Sequence, residues 1–140
     1  MPSVNQIELH PYFQQTELQR VNAEYGILTQ AWSPIGGVLV YVPGSDESSG
    51  PLTDPVITEL AAQYGKTPAQ IVLRWHVQQG RSAIPKSVRP ERIAENFDIF
   101  DFELASEEIA ALDSLNTGVR IGPDPAAVTL ETFGREIPEA

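Results

Sequence analysis

Four of the nine basic residues, Arg81, Lys86, Arg89 and Arg92, fall between positions 81 and 92 of a 140-residue chain whose formal net charge is -10. Only one acid, Glu91, lies among them. A concentration of cations in an acidic chain marks a local anion site. Ser82–Pro85 is predicted as a strand, which leaves Lys86 and Ser87 at its carboxyl end, where open sheets and barrels bind ligands. Pro90–Asn96 is predicted as a short helix. Arg92, Glu95 and Asn96 stand there at i, i+3 and i+4 and project from one face. Backbone N–H groups at the helix start would add to anion binding, and a planar Arg beside a Lys suits a phosphate. On spacing alone, the cluster reads equally well as a solvated basic strip.

The other candidates are weaker by themselves. Gln6 is a polar residue in strand alternation. Trp32, at a strand end, divides evenly between core packing and a flat surface for stacking. His10 precedes Pro11 at a strand end, and His76 is expected half-buried or exposed on a helix rather than catalytic. No His/Asp/Glu spacing resembles a metal site. Ser33 and Ser87 lack the Gly-flanked elbow of a hydrolase nucleophile. The absence of cysteine removes disulfides, thiolate zinc sites and Cys nucleophiles together. The acidic balance, with a sequence pI near 4.5, argues against nucleic acid and anionic membranes as partners. No apolar run is long enough for a transmembrane helix, and the first residues do not form a signal peptide. A cytoplasmic α/β protein is the expectation.

The elements that must position these residues alternate between short apolar strands and amphipathic helices. Val4–Leu9 and Ile27–Trp32 are the first two predicted strands. The helix between them is expected to start at a Thr16 N-cap, with Gln19 completing a capping box. Gly36–Thr53 is rich in Gly, Pro and Ser and is read mainly as loop. Asp54-Pro55 opens a helix with Val56, Ile57, Leu60, Ala61 and Tyr64 on its apolar face, closed by Gly65. Thr67 and Gln70 form a second capping box, opening a helix with Ile71, Val72 and Trp75 inside. Phe97, Phe100 and Phe102 are expected in the core. Ser106 is expected to cap a last helix that buries Ile109, Ala110, Leu112 and Leu115. Residues 119–140 are expected as an irregular arm. Three parallel strands with flanking helices are less than half of an eight-stranded barrel, which takes about 250 residues.

Ile84-Pro85-Lys86-Ser87 with Arg92, Glu95 and Asn96 resembles the C-terminal signature of the aldo-keto reductases. The resemblance runs along nearly the whole chain. Val4-Asn5-Gln6-Ile7-Glu8-Leu9-His10-Pro11-Tyr12 is similar to the family's sixth barrel strand, and Ala31-Trp32-Ser33-Pro34-Ile35-Gly36 to the end of the seventh. Gly65-Lys66-Thr67-Pro68-Ala69-Gln70 with Leu73-Arg74-Trp75-His76 resembles the seventh helix. Phe100-Asp101-Phe102-Glu103-Leu104 and Arg120-Ile121-Gly122-Pro123-Asp124-Pro125 continue the match. Trp32 and the last motif look most like bacterial diketogluconate-reductase-type members. Several motifs in the right order are more specific than any one short pattern.

The resemblance implies an α/β fold, the C-terminal portion of a (β/α) eight-stranded TIM barrel, with residues 1–140 as its NADP-binding part. It implies NADP(H) as cofactor and a small-molecule carbonyl substrate for the complete enzyme. Lys86, Ser87, Arg92 and Asn96 would hold the adenosine 2′-phosphate, with the backbone at Val88 nearby and Glu95 on the adenine. Gln6 would hydrogen-bond the nicotinamide carboxamide, which an amide side chain suits because it both donates and accepts. Trp32 would stack on the nicotinamide face. Ser33, Pro34, Ile35 and Gly36 would line the pyrophosphate or nicotinamide region. The following loop would fold over the cofactor.

The family's proton-transfer group, a Tyr with a Lys, an Asp and a His, belongs to the N-terminal half of the barrel. None of its surrounding motifs occurs here, so no catalytic residue is named. Two expectations follow. Either the chain is the cofactor-binding C-terminal part of a longer reductase, or it is an inactive half-barrel serving as a nucleotide-binding or assembly module. Met1 directly before a barrel strand favours the first. Two unpaired sheet edges would favour self-association.

Overall fold

The structure, a computed structural model, describes residues 1–37 and 50–134. Its centre is a parallel three-stranded sheet with the order β1 (Val4–Glu8), β2 (Leu28–Trp32) and β3 (Ser82–Ala83). Val4 pairs with Leu28 and Glu8 with Trp32. Gln30 and Ala31 pair with Ser82 and Ala83. The strands follow the predicted positions, but β3 is shorter. One more bond follows the strand, from Ile84 N–H to Ala31 O at 3.2 Å, and Pro85 has no N–H to continue the ladder.

α1 (Thr16–Glu24) joins β1 to β2, α2 (Pro55–Tyr64) and α3 (Pro68–Gln78) lie between β2 and β3, and α4 (Pro90–Phe97) and α5 (Ser106–Asp113) follow β3. The tail adds a 3₁₀ turn at Pro125–Ala127 and a helical turn, α6 (Leu130–Phe133). The expected irregular arm therefore contains helical turns, and its last six positions lie outside the described residues. The expected cofactor-covering loop, residues 37–53, lies mostly outside them as well.

Strand alternation divides the sheet into two faces. Ile7, Leu9 and Ala31 point to the helices and join Ile57, Leu60, Ala61, Ile71, Val72, Trp75, Leu104 and Leu112 in one core. Trp75 is fully buried, and its indole N–H donates to Asp113 at 2.8 Å, joining α3 to α5. The other face carries Gln6, Glu8, Gln30 and Trp32.

Two helix starts differ from expectation. Thr16 does not cap α1. The preceding Gln15 adopts a left-handed φ of 50° with no side-chain cap, and the Gln19 amide donates to Gln14 O. Tertiary bonds fix this entry: the Gln14 amide reaches Leu112 O and Asp113 O, and that of Gln15 reaches Glu8 O. Ser106 likewise lies inside α5, where Glu108 accepts the Ala105 N–H at 2.7 Å. Asp54 and Thr67 cap α2 and α3 as predicted, the latter with a complete capping box.

Burial corrects further expectations. Phe97 and Phe100 are 75% and 67% exposed, because they lie on the side of β3 that no other described strand covers. Ala110 is exposed on α5. His76 is fully buried, since α3 packs below the turn that follows β2. Arg81 leaves the basic cluster altogether: it is 7% exposed, with its guanidinium 3.9 Å from the centre of the Trp75 ring.

Candidate functional site

The loop from β3 into α4 and the first turns of α4 face the start of α3. Between them is a cleft of about 290 Å³. Lys86, Ser87, Arg92, Glu95 and Asn96 line it together with Ile35, Leu52 and Thr67–Ala69. The i, i+3, i+4 spacing thus brings Arg92, Glu95 and Asn96 to one surface. Ser87 Oγ accepts the Arg89 N–H at 3.1 Å and fixes the turn before α4. Arg89 offers no side-chain cap to α4, and Pro90 occupies its first turn.

Electrostatics set this cleft apart. Among the described residues, Arg20, Lys66 and Arg120 are paired with carboxylates. Arg74 and Arg81 lack ion pairs but donate to Gln78 and Ile99 O and to Gln19 and Trp75 O, whereas Lys86, Arg89 and Arg92 form no ion pair among the described residues. Two uncompensated cations on a shared concave surface attract an anion. A hydroxyl from Ser87 and an amide from Asn96 add hydrogen-bonding capacity. This donor set fits a phosphate. Glu95, on the same face, supplies an acceptor beside it.

The remaining predicted residues lie elsewhere. Val88 is 78% exposed and does not line the cleft. Gln6 sits on the open sheet face, where its amide donates to Gln30 Oε1 at 2.7 Å. Gln30 in turn donates to Ser82 Oγ at 3.1 Å, so a polar ladder crosses all three strands. Trp32 shares that sheet face at the strand's carboxyl end and is half-buried.

Ser33–Gly36 form a turn between Trp32 and the cleft. Ser33 adopts a φ of 48°, and its carbonyl accepts the Gly36 N–H at 2.9 Å. Gly36 has a φ of 79°, and a Cβ there would sit 2.5 Å from the Pro51 ring. Glycine is required on both counts. Ile35 reaches the cleft from this turn, while Pro34 is buried beneath it.

Sequence reasoning missed the residues that support this arrangement. His76 Nε2 donates to Pro34 O at 3.0 Å and anchors the turn. Burial, with the Arg81 charge nearby, pushes the His76 pKa down to about 3. The ring is neutral at pH 7, which leaves Nε2–H free to donate. Glu8, fully buried, binds the backbone of the C-terminal segment. Alternation marks Glu8 as sharing a face with Gln6, but only the tertiary structure brings residues 120–122 against it.

Neither Tyr12 nor Tyr64 is poised to give up a proton near neutral pH. Tyr12 donates to Asp54 at 2.8 Å, and burial plus that carboxylate push its pKa up to about 12. Tyr64 donates to Glu108 and is also raised. Tyr25 is exposed, and Tyr41 lies outside the described residues.

Comparison with known proteins agrees with the sequence motifs. The profile of the Aldo/keto reductase family matches residues 1–117. The chain is 56% identical to Morphine 6-dehydrogenase of Pseudomonas putida, over 95% of this chain and 46% of that protein. It is 48% identical to Methylglyoxal reductase DkgA of Escherichia coli (strain K12), over 89% of this chain and 42% of that protein. It is also similar to a crystal structure of a Gox0644 mutant in complex with NADPH. That match has a TM-score of 0.78 and 39% identity, covering 92% of this chain and 44% of the other. The chain therefore spans less than half the length of the relatives it matches, and it carries a three-stranded part of their (β/α) barrel. It belongs to the aldo/keto reductase family.

Proposed function

We propose that this chain is the C-terminal, NADP(H)-binding part of an oxidoreductase that converts aldehydes or ketones to alcohols. The observation that carries the reading is the cleft in which Lys86 and Arg92 stand beside Ser87 and Asn96, with no carboxylate partner among the described residues. These four side chains hold the 2′-phosphate of the cofactor, with the Val88 backbone alongside, and Glu95 accepts from the adenine. Gln6 binds the carboxamide, and Trp32 provides the flat surface under the nicotinamide ring. Ser33, Pro34, Ile35 and Gly36 line the path between the two ends. The cofactor supplies the hydride that reduces a small carbonyl substrate. The family resemblance assigns the proton donor to the N-terminal half of the barrel; the Tyr12 and Tyr64 hydroxyls already donate to Asp54 and Glu108. A cytoplasmic location belongs to the same proposal.

The test is nucleotide titration of the purified chain and of Lys86→Ala and Arg92→Ala. A charge-assisted hydrogen bond is worth about 1.5–3 kcal/mol, so each change weakens NADPH binding by roughly ten- to hundred-fold. NADH binding changes little. Equal losses for both nucleotides would remove the phosphate assignment.

A second reading is an assembly module without turnover of its own. It is favoured by β1 and β3 each having one strand neighbour among the described residues and by the exposed Phe97 and Phe100. It predicts self-association in sedimentation velocity, reduced by Phe97→Ser. A monomer at all concentrations removes it.

A further inference from the structure

Glu8 stands on the open sheet face two residues after Gln6 and directly opposite Trp32 in the β1–β2 register. Its side chain is wholly inaccessible. A buried carboxylate needs charge and hydrogen-bond compensation, and here it is complete. Oε1 accepts from His10 Nε2 at 3.2 Å, Ile121 N at 3.1 Å and Gly122 N at 3.0 Å. Oε2 accepts from Arg120 Nη1 at 3.2 Å and Gly122 N at 3.1 Å. Three consecutive residues of the C-terminal segment are thus held by one side chain on the first strand.

The place where that segment is held matters. A Cβ on Gly122 would lie 2.5 Å from Glu8 Oε2 and 2.5 Å from Trp32 Cη2. Gly122 therefore fills the gap between the carboxylate and the rim of the indole. Trp32 ends its strand half-buried, with the left-handed Ser33 turn directly after it. Gly122 blocks one direction in which the ring could swing.

We propose that Glu8 is a positioning residue: by clamping Arg120–Gly122 it seats Gly122 against Trp32 and fixes the plane of that ring. The consequence for the cofactor rests on the proposed function, in which Trp32 carries the nicotinamide. Glu8 touches neither cofactor nor substrate. It acts at the nicotinamide end, away from the Lys86–Arg92 cleft. A residue that only stabilised the fold would affect both ends alike.

The experiment uses the full chain with Glu8→Gln, which keeps the shape and removes the charge. The Trp32 signal is the difference in emission between a protein and its Trp32→Phe counterpart. Acrylamide quenching of that signal is expected to rise in Glu8→Gln, with the Trp75 emission unchanged. NADPH affinity is expected to fall about ten-fold, equivalent to about 1.4 kcal/mol. Affinity for adenosine 2′,5′-bisphosphate, which carries the phosphate but no nicotinamide, is expected to stay the same. Unchanged Trp32 quenching, or equal losses for the two nucleotides, would overturn the assignment. If Glu8→Gln does not fold, Gly122→Ala decides. Its methyl must displace Trp32 or Glu8, and a parent-like Trp32 signal would overturn the proposal. If the parent binds neither nucleotide, the proposed function fails, and quenching alone decides whether Glu8 positions Trp32.

Discussion

His76 links the helical core to the turn beside the cleft, and its proton balance is measurable. Burial comes first among the causes that lower its pKa to about 3, followed by the charge of Arg81. Unfolded, the same ring titrates at its ordinary value near 6.5. Between these limits the unfolded chain binds the extra proton, so acid favours unfolding. Each pH unit below 6.5 removes about 1.4 kcal/mol of stability. Urea denaturation at pH 7 and pH 5 should show this loss in the parent and not in His76→Gln. Glu8 acts in a lower window. Its burial is outweighed by the His10 bond and the N–H groups of Gly122 and Ile121, with Arg120 also facing it, so its pKa is lowered. Its contribution is present above the ordinary carboxylate range and is lost as pH falls through the depressed value. Neither residue's role was legible in the sequence. Helical spacing cannot show that His76 lies under a turn 42 positions away, nor can strand alternation reveal that residues 120–122 return to Glu8.

Two nearly identical local patterns diverge at the level of elements. Thr16 with Gln19 and Thr67 with Gln70 both spell a capping box. Only the second forms, with Thr67 Oγ1 accepting the Gln70 N–H and Gln70 Oε1 accepting the Thr67 N–H. Thr67→Ala should therefore cost about 1 kcal/mol, while Thr16→Ala should be close to neutral. Paired urea midpoints check this contrast. The first box fails because Gln14 and Gln15 spend their amides on α5 and β1, a tertiary fact that no local window contains. What was legible is what depends on local periodicity: three strands, the caps at Asp54 and Thr67, and the shared face of Arg92, Glu95 and Asn96. Trp75 was also legible as core, and Trp75→Ala should lose about 3–5 kcal/mol in the same assay.

The whole molecule combines a net charge of -10 with a concave surface that carries Lys86 and Arg92. Of the predicted basic cluster, Lys86 and Arg92 line that surface; Arg89 does not, and the fold turns Arg81 inward onto Trp75. The aromatic residues beside it were misread because Phe97 and Phe100 belong to a side of β3 that no other described strand covers. Counting apolar residues cannot show which faces a partial barrel leaves open. In the proposed function, Lys86 and Arg92 recognise the phosphate that distinguishes NADPH from NADH. Calorimetric titration of the parent chain with both nucleotides tests it most directly. Tighter binding of NADPH, by roughly ten-fold or more and weakening as salt is raised, is the predicted result. Equal affinity for the two nucleotides would contradict it.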